Sequence, residues 1–296
     1  MYEQYYGFKE EPFRLSPDSR LCFLHPGFTK AKAYMQYALQ RKEGFVMVTG
    51  RPGTGKSTLI ASMTNDLAEQ ENVVFASLTC TQIEADDLLR LVVMRFGLDG
   101  SQAHKAGMLN DLETLLKRLH SAGKRPLLII DEAQDLSANA LEELRLLTNL
   151  QLNNQPLLQI FLVGQEELRD TVMSPGLEQL HQRLVAACHM RPLDENATRD
   201  YILHRLQHVG WDGKPELDES IFNPIHQASR GIPRLINMVC SRLFLHGMVE
   251  DREELTLDDV RDVIASLEEE LLIRPAEPDT NADTGNRAEQ VYAGVH

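Results

Sequence analysis

A chain of 296 residues with 43% apolar composition is long enough for roughly two domains with a substantial core. Its formal net charge of −14 argues against a protein whose whole surface grips nucleic acid and leaves room only for a local basic patch. Cys22, Cys80, Cys188 and Cys240 lie far apart, with neither metal spacing nor a disulfide framework, and read as buried thiols in a reducing cytoplasm.

The opening Met1-Tyr2-Glu3-Gln4-Tyr5-Tyr6 lacks the basic and apolar regions of a signal peptide, and no apolar run approaches bilayer length. The expectation is a cytoplasmic protein that reaches a membrane only through partners. Residues 1–43 form an N-terminal segment in which Gly7-Phe8, Pro12-Phe13, Pro17 and Pro26 mark irregular chain, with aromatic residues that dock on the globular body. Periodicity predicts a helix over 29–40, with Ala33, Tyr34, Tyr37 and Ala38 on one face, ended by Gly44.

Phe45-Val46-Met47-Val48-Thr49 then reads as an apolar strand, followed by a glycine-rich turn and by Lys56-Ser57 opening a helix. Gly50, four residues, then Gly55-Lys56-Ser57 is the phosphate-binding P-loop spacing. Glycine lets the backbone fold tightly round a phosphate chain and turn its N–H groups inward, and the helix start adds a positive end. Gly50, Arg51, Pro52, Gly53, Thr54, Gly55, Lys56, Ser57 and Thr58 are therefore the candidate nucleotide-binding residues. Lys56 supplies a mobile charge for the β- and γ-phosphates, and the Ser57 hydroxyl suits Mg²⁺.

Strands over 73–78, 127–130, 158–163 and 186–190 alternate with helices over 86–96, 109–120, 141–150 and 177–184. Leu144 and Leu147 face inward. This alternation predicts an α/β fold, a parallel sheet with helices on both faces. The run 127–130 delivers Asp131-Glu132 to the carboxyl end of its strand, roughly 75 residues after the P-loop. Asp131 would hold Mg²⁺ and Glu132 would polarise an attacking water, which points to hydrolysis rather than binding alone. Gln165, after Gly164, could touch the γ-phosphate or that water. Arg183 could stabilise transition-state charge, often from a neighbouring subunit.

After Pro192 the strand signals stop. Asp194 can cap a helix ending before Gly210, and further helices are expected over 221–229, 232–248 and from Thr256, which with Asp259 forms a capping-box pattern, to about 272. Gly231-Ile232-Pro233-Arg234 marks a helix start that aims Arg234 at the cleft. His181 and His189 read as structural, Met94, Met238 and Met248 as core fillers, and Glu268-Glu269-Glu270 as a solvated face. From Pro275 the composition predicts disorder. The expected organisation is an N-terminal docking segment (1–43), an α/β nucleotide-binding domain (44–192), a helical lid (193–272) and a tail (273–296).

With these features in order, the chain resembles an AAA+ ATPase, and within that superfamily the bacterial secretion-ATPase group of general secretion pathway protein A and the pilus-biogenesis ATPase MshM, including members found beside exosortase and exopolysaccharide loci. The residues that carry the likeness are Met1-Tyr2-Glu3, Tyr6-Gly7-Phe8, Pro12-Phe13, Pro17-Asp18, Glu43-Gly44-Phe45, the P-loop, Asp131-Glu132-Ala133-Gln134, Leu162-Val163-Gly164-Gln165, Gln182-Arg183 and Gly231-Ile232-Pro233-Arg234. The resemblance implies a three-layer αβα core with sheet order 5-1-4-3-2. It implies Walker A and Walker B roles for the first two motifs, sensor 1 for Gln165, an arginine finger for Arg183 and sensor 2 for Arg234. It implies ATP and Mg²⁺ as cofactors. The expected partners are copies of the chain itself in a ring and components of envelope secretion or polysaccharide export. Related transposon ATPases bind DNA, which keeps an ATP-gated DNA adaptor as the alternative reading.

Overall fold

The computed structural model describes residues 1–16, 19–41, 44–69, 72–79, 83–101 and 104–274. Pro17, Asp18, Glu43, Cys80 and the tail from Pro275 lie outside them. The centre is a parallel sheet of five strands: β1 (Phe45–Gly50), β2 (Val73–Thr79), β3 (Arg125–Asp131), β4 (Gln159–Gly164) and β5 (Leu184–Met190). Their spatial order is β5-β1-β4-β3-β2, as the resemblance implied. The register sets Thr49 opposite Gly164, Gly50 opposite Met190 and Thr79 opposite Asp131. The carboxyl ends of the strands thus share one edge.

Side-chain alternation explains the layers. Val46 and Val48, Leu127 and Ile129, and Phe161 and Val163 face one side, with α2 (Pro26–Arg41) and α3 (Lys56–Ala68). Phe45 and Met47, Leu128 and Ile130, and Ile160 and Leu162 face the other side. There they meet α4 (Ala85–Arg95), α5 (Lys105–Ser121), α6 (Ala138–Leu147), α7 (Glu166–Val172) and the one-turn α8 (Glu178–His181). Strands covered on both faces need apolar residues at every position, which is why they read as continuous runs.

A second core joins α9 (Glu195–His208), α10 (Phe222–Ser229), α11 (Pro233–Val249) and α12 (Leu257–Glu269). Asp194 caps α9 by accepting the Ala197 N–H at 2.8 Å, and the Thr256–Asp259 capping box is formed. Residues 1–14, with the one-turn α1 (Tyr2–Tyr5), dock on this bundle, whereas α2 of the same N-terminal segment packs on the sheet. Tyr2, Phe8 and Phe13 surround the Phe244 ring at 5.6–6.0 Å. Arg205 Nη2 and Asn237 Nδ2 both donate to the Arg14 carbonyl.

Four local expectations change. Helix α2 starts at Pro26 and buries Phe28, Ala31, Met35, Ala38 and Leu39, leaving Ala33, Tyr34 and Tyr37 exposed. The face follows from packing on β5 and α3, which the tyrosine spacing could not distinguish. The helix expected over 177–184 is cut to one turn because Leu184 pairs with Phe45 at the start of β5. Glu216–Leu217 and Glu254–Leu255 form a short parallel ladder in the bundle, where no strand was expected. Met94 is 53% exposed rather than a core filler, whereas Met238 and Met248 do pack on the bundle core.

Candidate active site

The P-loop connects β1 to α3. Gly53 and Gly55 take φ values of 82° and 95°, left-handed conformations that a side chain would strain. Gly55 caps α3 from that conformation. Thr54 is buried and its hydroxyl closes the loop on the Arg51 carbonyl at 2.8 Å. Lys56, 6% exposed, donates from Nζ to the carbonyls of Gly50 at 2.8 Å and Arg51 at 3.2 Å. Burial lowers its pKa, against the opposing pull of Glu132 and Asp131.

Asp131 ends β3 and Glu132 follows with φ 54°. Burial raises the Asp131 pKa; hydrogen bonds from the Glu132 N–H, at 3.0 Å, and from Ser57 act the other way. Among the described residues no group of three His, Cys, Asp or Glu side chains could hold a metal alone. One hydroxyl and one carboxylate suit a magnesium ion that completes its shell with phosphate and water oxygens.

A cavity of about 270 Å³ lies between the P-loop, the helical bundle and the N-terminal segment. Pro52, Gly53, Thr54, Gly55, Lys56, Ser57, Thr58 and Glu132 line one side. Arg234, Asn237, Tyr201 and Arg205 line the bundle side, and Leu21, Cys22, Phe23 and His25 line the third. Burial pushes the Cys22 thiol up to about 11. The bundle is clamped to the P-loop by the Arg234 N–H, which reaches the Gly53 carbonyl at 3.3 Å. Gly231 makes that approach feasible: any Cβ there would sit 1.9 Å from the Leu193 carbonyl oxygen, and Leu193 N–H donates to the Gly231 carbonyl at 2.8 Å.

The structure thus brings Lys56, Ser57, Asp131, Glu132 and Arg234 together. Gln165 follows β4 but does not line the cavity; its N–H donates to Gln134 Oε1 at 2.9 Å, and Gln134 Nε2 donates to Glu132 Oε2 at 2.8 Å. Arg183 precedes β5, at the opposite edge of the sheet from the P-loop. At about 3.3 Å per strand residue, the length of β5 separates them by about 20 Å. Its guanidinium bonds Thr148 Oγ1 at 2.5 Å and Asn149 Oδ1 at 2.6 Å, beyond the end of α6. Arg51 points outward toward Glu166, which also faces His189, while His189 meets Thr49 Oγ1 at 3.2 Å. Sequence reasoning missed the contributions of Gln134, Asn237, Tyr201, Arg205, residues 21–23 and His25. Only Gln134 stood inside a motif that could have drawn attention to it.

Residues 39–172 match the AAA domain family. The chain is 34% identical to general secretion pathway protein A of Aeromonas hydrophila over 262 residues, which is 88% of this chain and 47% of that protein. The chain therefore spans about half the length of this curated relative. Among solved structures it is similar to the Aeropyrum pernix ORC2 protein bound to ADPNP and ADP, with TM-score 0.63 and 17% identity, covering 87% of this chain and 72% of that one. Cdc6p from Pyrobaculum aerophilum gives TM-score 0.63 and 15% identity over 84% and 70% of the two chains. The Thermotoga maritima RuvB Holliday junction branch migration motor gives 0.53 and 20% over 81% and 67%. At these identities the structural likenesses establish the fold, a P-loop αβα core.

Proposed function

From its AAA domain and its resemblance to AAA+ ATPases of the secretion pathway protein A group, we propose that this protein is a Mg²⁺-dependent ATPase that drives or regulates assembly of a bacterial envelope secretion or exopolysaccharide export system. The observation that carries the ATPase reading is the convergence of Lys56, Glu132 and Arg234 from three separate elements on one cavity. Each has a distinct task. P-loop backbone N–H groups and the α3 N-terminus receive the phosphates. Lys56 exchanges the Gly50 and Arg51 carbonyls for β- and γ-phosphate oxygens. Ser57 and Asp131 would hold Mg²⁺, which when bound neutralises charge developing on the phosphates. Glu132 orients and polarises water in line with the γ-phosphate. Arg234 couples closure of the bundle, acting as a lid, to the presence of that phosphate.

Arg183 acts in a neighbouring copy, which its distance from its own P-loop supports. The active form is then a homo-oligomer, presented as a ring. Among the described residues no helix is long and apolar enough to cross a membrane. In this reading export-system partners hold the protein at the inner membrane from the cytoplasm. The relative at 34% identity supports these export-system partners.

Glu132→Gln tests the chemistry. The variant should bind ATP as the wild type does and lose turnover by about 100-fold or more, the scale of a lost general base. Chelation of Mg²⁺ should abolish turnover in the wild type. Normal hydrolysis by the variant would remove Glu132 from the assigned role. A duplex-DNA shift assay with an ATP analogue at physiological salt separates this reading from a DNA adaptor, which would bind with steep salt dependence.

A further inference from the structure

One side chain beside the catalytic carboxylate has no task in the mechanism above. Gln134 lies in the single 3-10 turn Ala133–Asp135 that follows β3, and it is half-buried. Its amide spans two strands' worth of chain. Nε2 donates to Glu132 Oε2 at 2.8 Å, and Oε1 accepts the Gln165 N–H at 2.9 Å. The partners dictate this orientation. A backbone N–H can only donate, so the amide oxygen must meet it; an ionised carboxylate can only accept, so the NH₂ must face Glu132.

The surroundings keep this bridge in place. A Cβ at position 164 would lie 2.8 Å from Gln134 Oε1 and 3.2 Å from its backbone nitrogen, so Gly164 leaves the gap through which the amide crosses to β4. Glu132 itself has left-handed backbone, φ 54° and ψ 39°, which a non-glycine residue holds only where neighbours determine it. Its N–H is tied to Asp131 Oδ1 and its side chain to Gln134. Gln134 does not line the cavity and neither does Gln165, whereas Glu132 does.

We infer that Gln134 is a positioning residue that tethers the Glu132 carboxylate to the backbone at Gln165, so that movement of the end of β4 is passed directly to the group that polarises water. This inference rests on the ATPase reading and assigns it an internal coupling. Gln165 then acts on catalysis through its main chain and Gln134 as well as through its own amide. The coupling needs a side chain that donates at one end and accepts at the other. Glutamine does so, and so does a neutral imidazole. Methionine, of similar volume, does neither, and glutamate can only accept while repelling Glu132.

Three variants in the full chain test it. Gln134→Met should lower kcat about tenfold while KM for ATP stays within about twofold, the pattern of an interaction used in the transition state only. Gln134→Glu should do at least as much damage, and Gln134→His should recover part of kcat. Amide hydrogen exchange supplies a readout without turnover: the Gln165 N–H should exchange about tenfold faster or more in Gln134→Met and be protected again in Gln134→His. Unchanged exchange at Gln165, or a rise in KM with kcat intact, would overturn the tether. If the wild type itself lacks turnover, the ATPase reading falls, and exchange at Gln165 alone then upholds or overturns the tether.

Discussion

Asp131 carries a cost that its position explains. Burial raises its pKa, so the folded chain holds its proton more tightly than the unfolded chain does. The sign follows from linkage: stability is fully present below the unfolded pKa and is lost as pH rises through the folded one. Removing the charge should therefore help the fold while ending the chemistry. Asp131→Asn keeps an oxygen for the Glu132 N–H and should raise the thermal midpoint of nucleotide-free protein at neutral pH. The same variant should lose Mg²⁺-dependent turnover. Differential scanning calorimetry beside an ATPase assay checks both, and a lower midpoint would show that the carboxylate stabilises the fold.

Among the elements, the N-terminal segment matters more than its irregular backbone suggests. Phe13 is fully buried and stacks near Phe244, and the carbonyl of Arg14 is held by two residues of the helical bundle. Phe13→Ala should cost about 3–5 kcal/mol, the range for a buried Phe-to-Ala change, measured by denaturant unfolding. Thr256→Ala, which breaks the capping box of α12, should cost only about 1 kcal/mol. Because the segment continues into Leu21, Cys22 and Phe23 at the cavity, Phe13→Ala should also weaken nucleotide affinity. The Thr256 variant should leave affinity alone. Gly231→Ala tests this close approach directly: its Cβ would meet the Leu193 carbonyl, so the start of α11 should shift and the Arg234 N–H should lose the Gly53 carbonyl.

At the scale of the whole molecule, the two arginines stand far apart. Arg234 belongs to the chain's own cavity, and Arg183 lies at the opposite sheet edge. If Arg183 serves a neighbour, specific activity should rise with protein concentration. Arg183→Ala should bind ATP normally and lose turnover by about 10³-fold or more, the range for a missing arginine finger. Mixing it with Glu132→Gln should restore part of the activity, because some interfaces then join an intact Glu132 to an intact Arg183. Two inactive variants that stay inactive when mixed would place the function of Arg183 within its own subunit.

Sequence by itself determined the features whose physics is local. The P-loop is legible because phosphate binding demands glycine, lysine and serine at fixed spacing. Strands β1, β3 and β4 are legible because burial on both faces requires unbroken apolar runs. The caps at Asp194 and Thr256 are legible because a helix start needs a nearby acceptor. What only tertiary structure decided depends on residues far apart in the chain. Tyr34 and Tyr37 fit a helical period as well as Phe28 and Met35 do, and only packing against β5 chooses between them. The docking of Phe8 and Phe13 on Phe244 joins residues more than 200 positions apart, which no local pattern encodes. The bridge through Gln134 exists because β3 and β4 are neighbours in space, and the separation of Arg183 from its own P-loop follows from the direction of β5. Short-range sterics and solvation set the first group; pairing and packing between distant segments set the second.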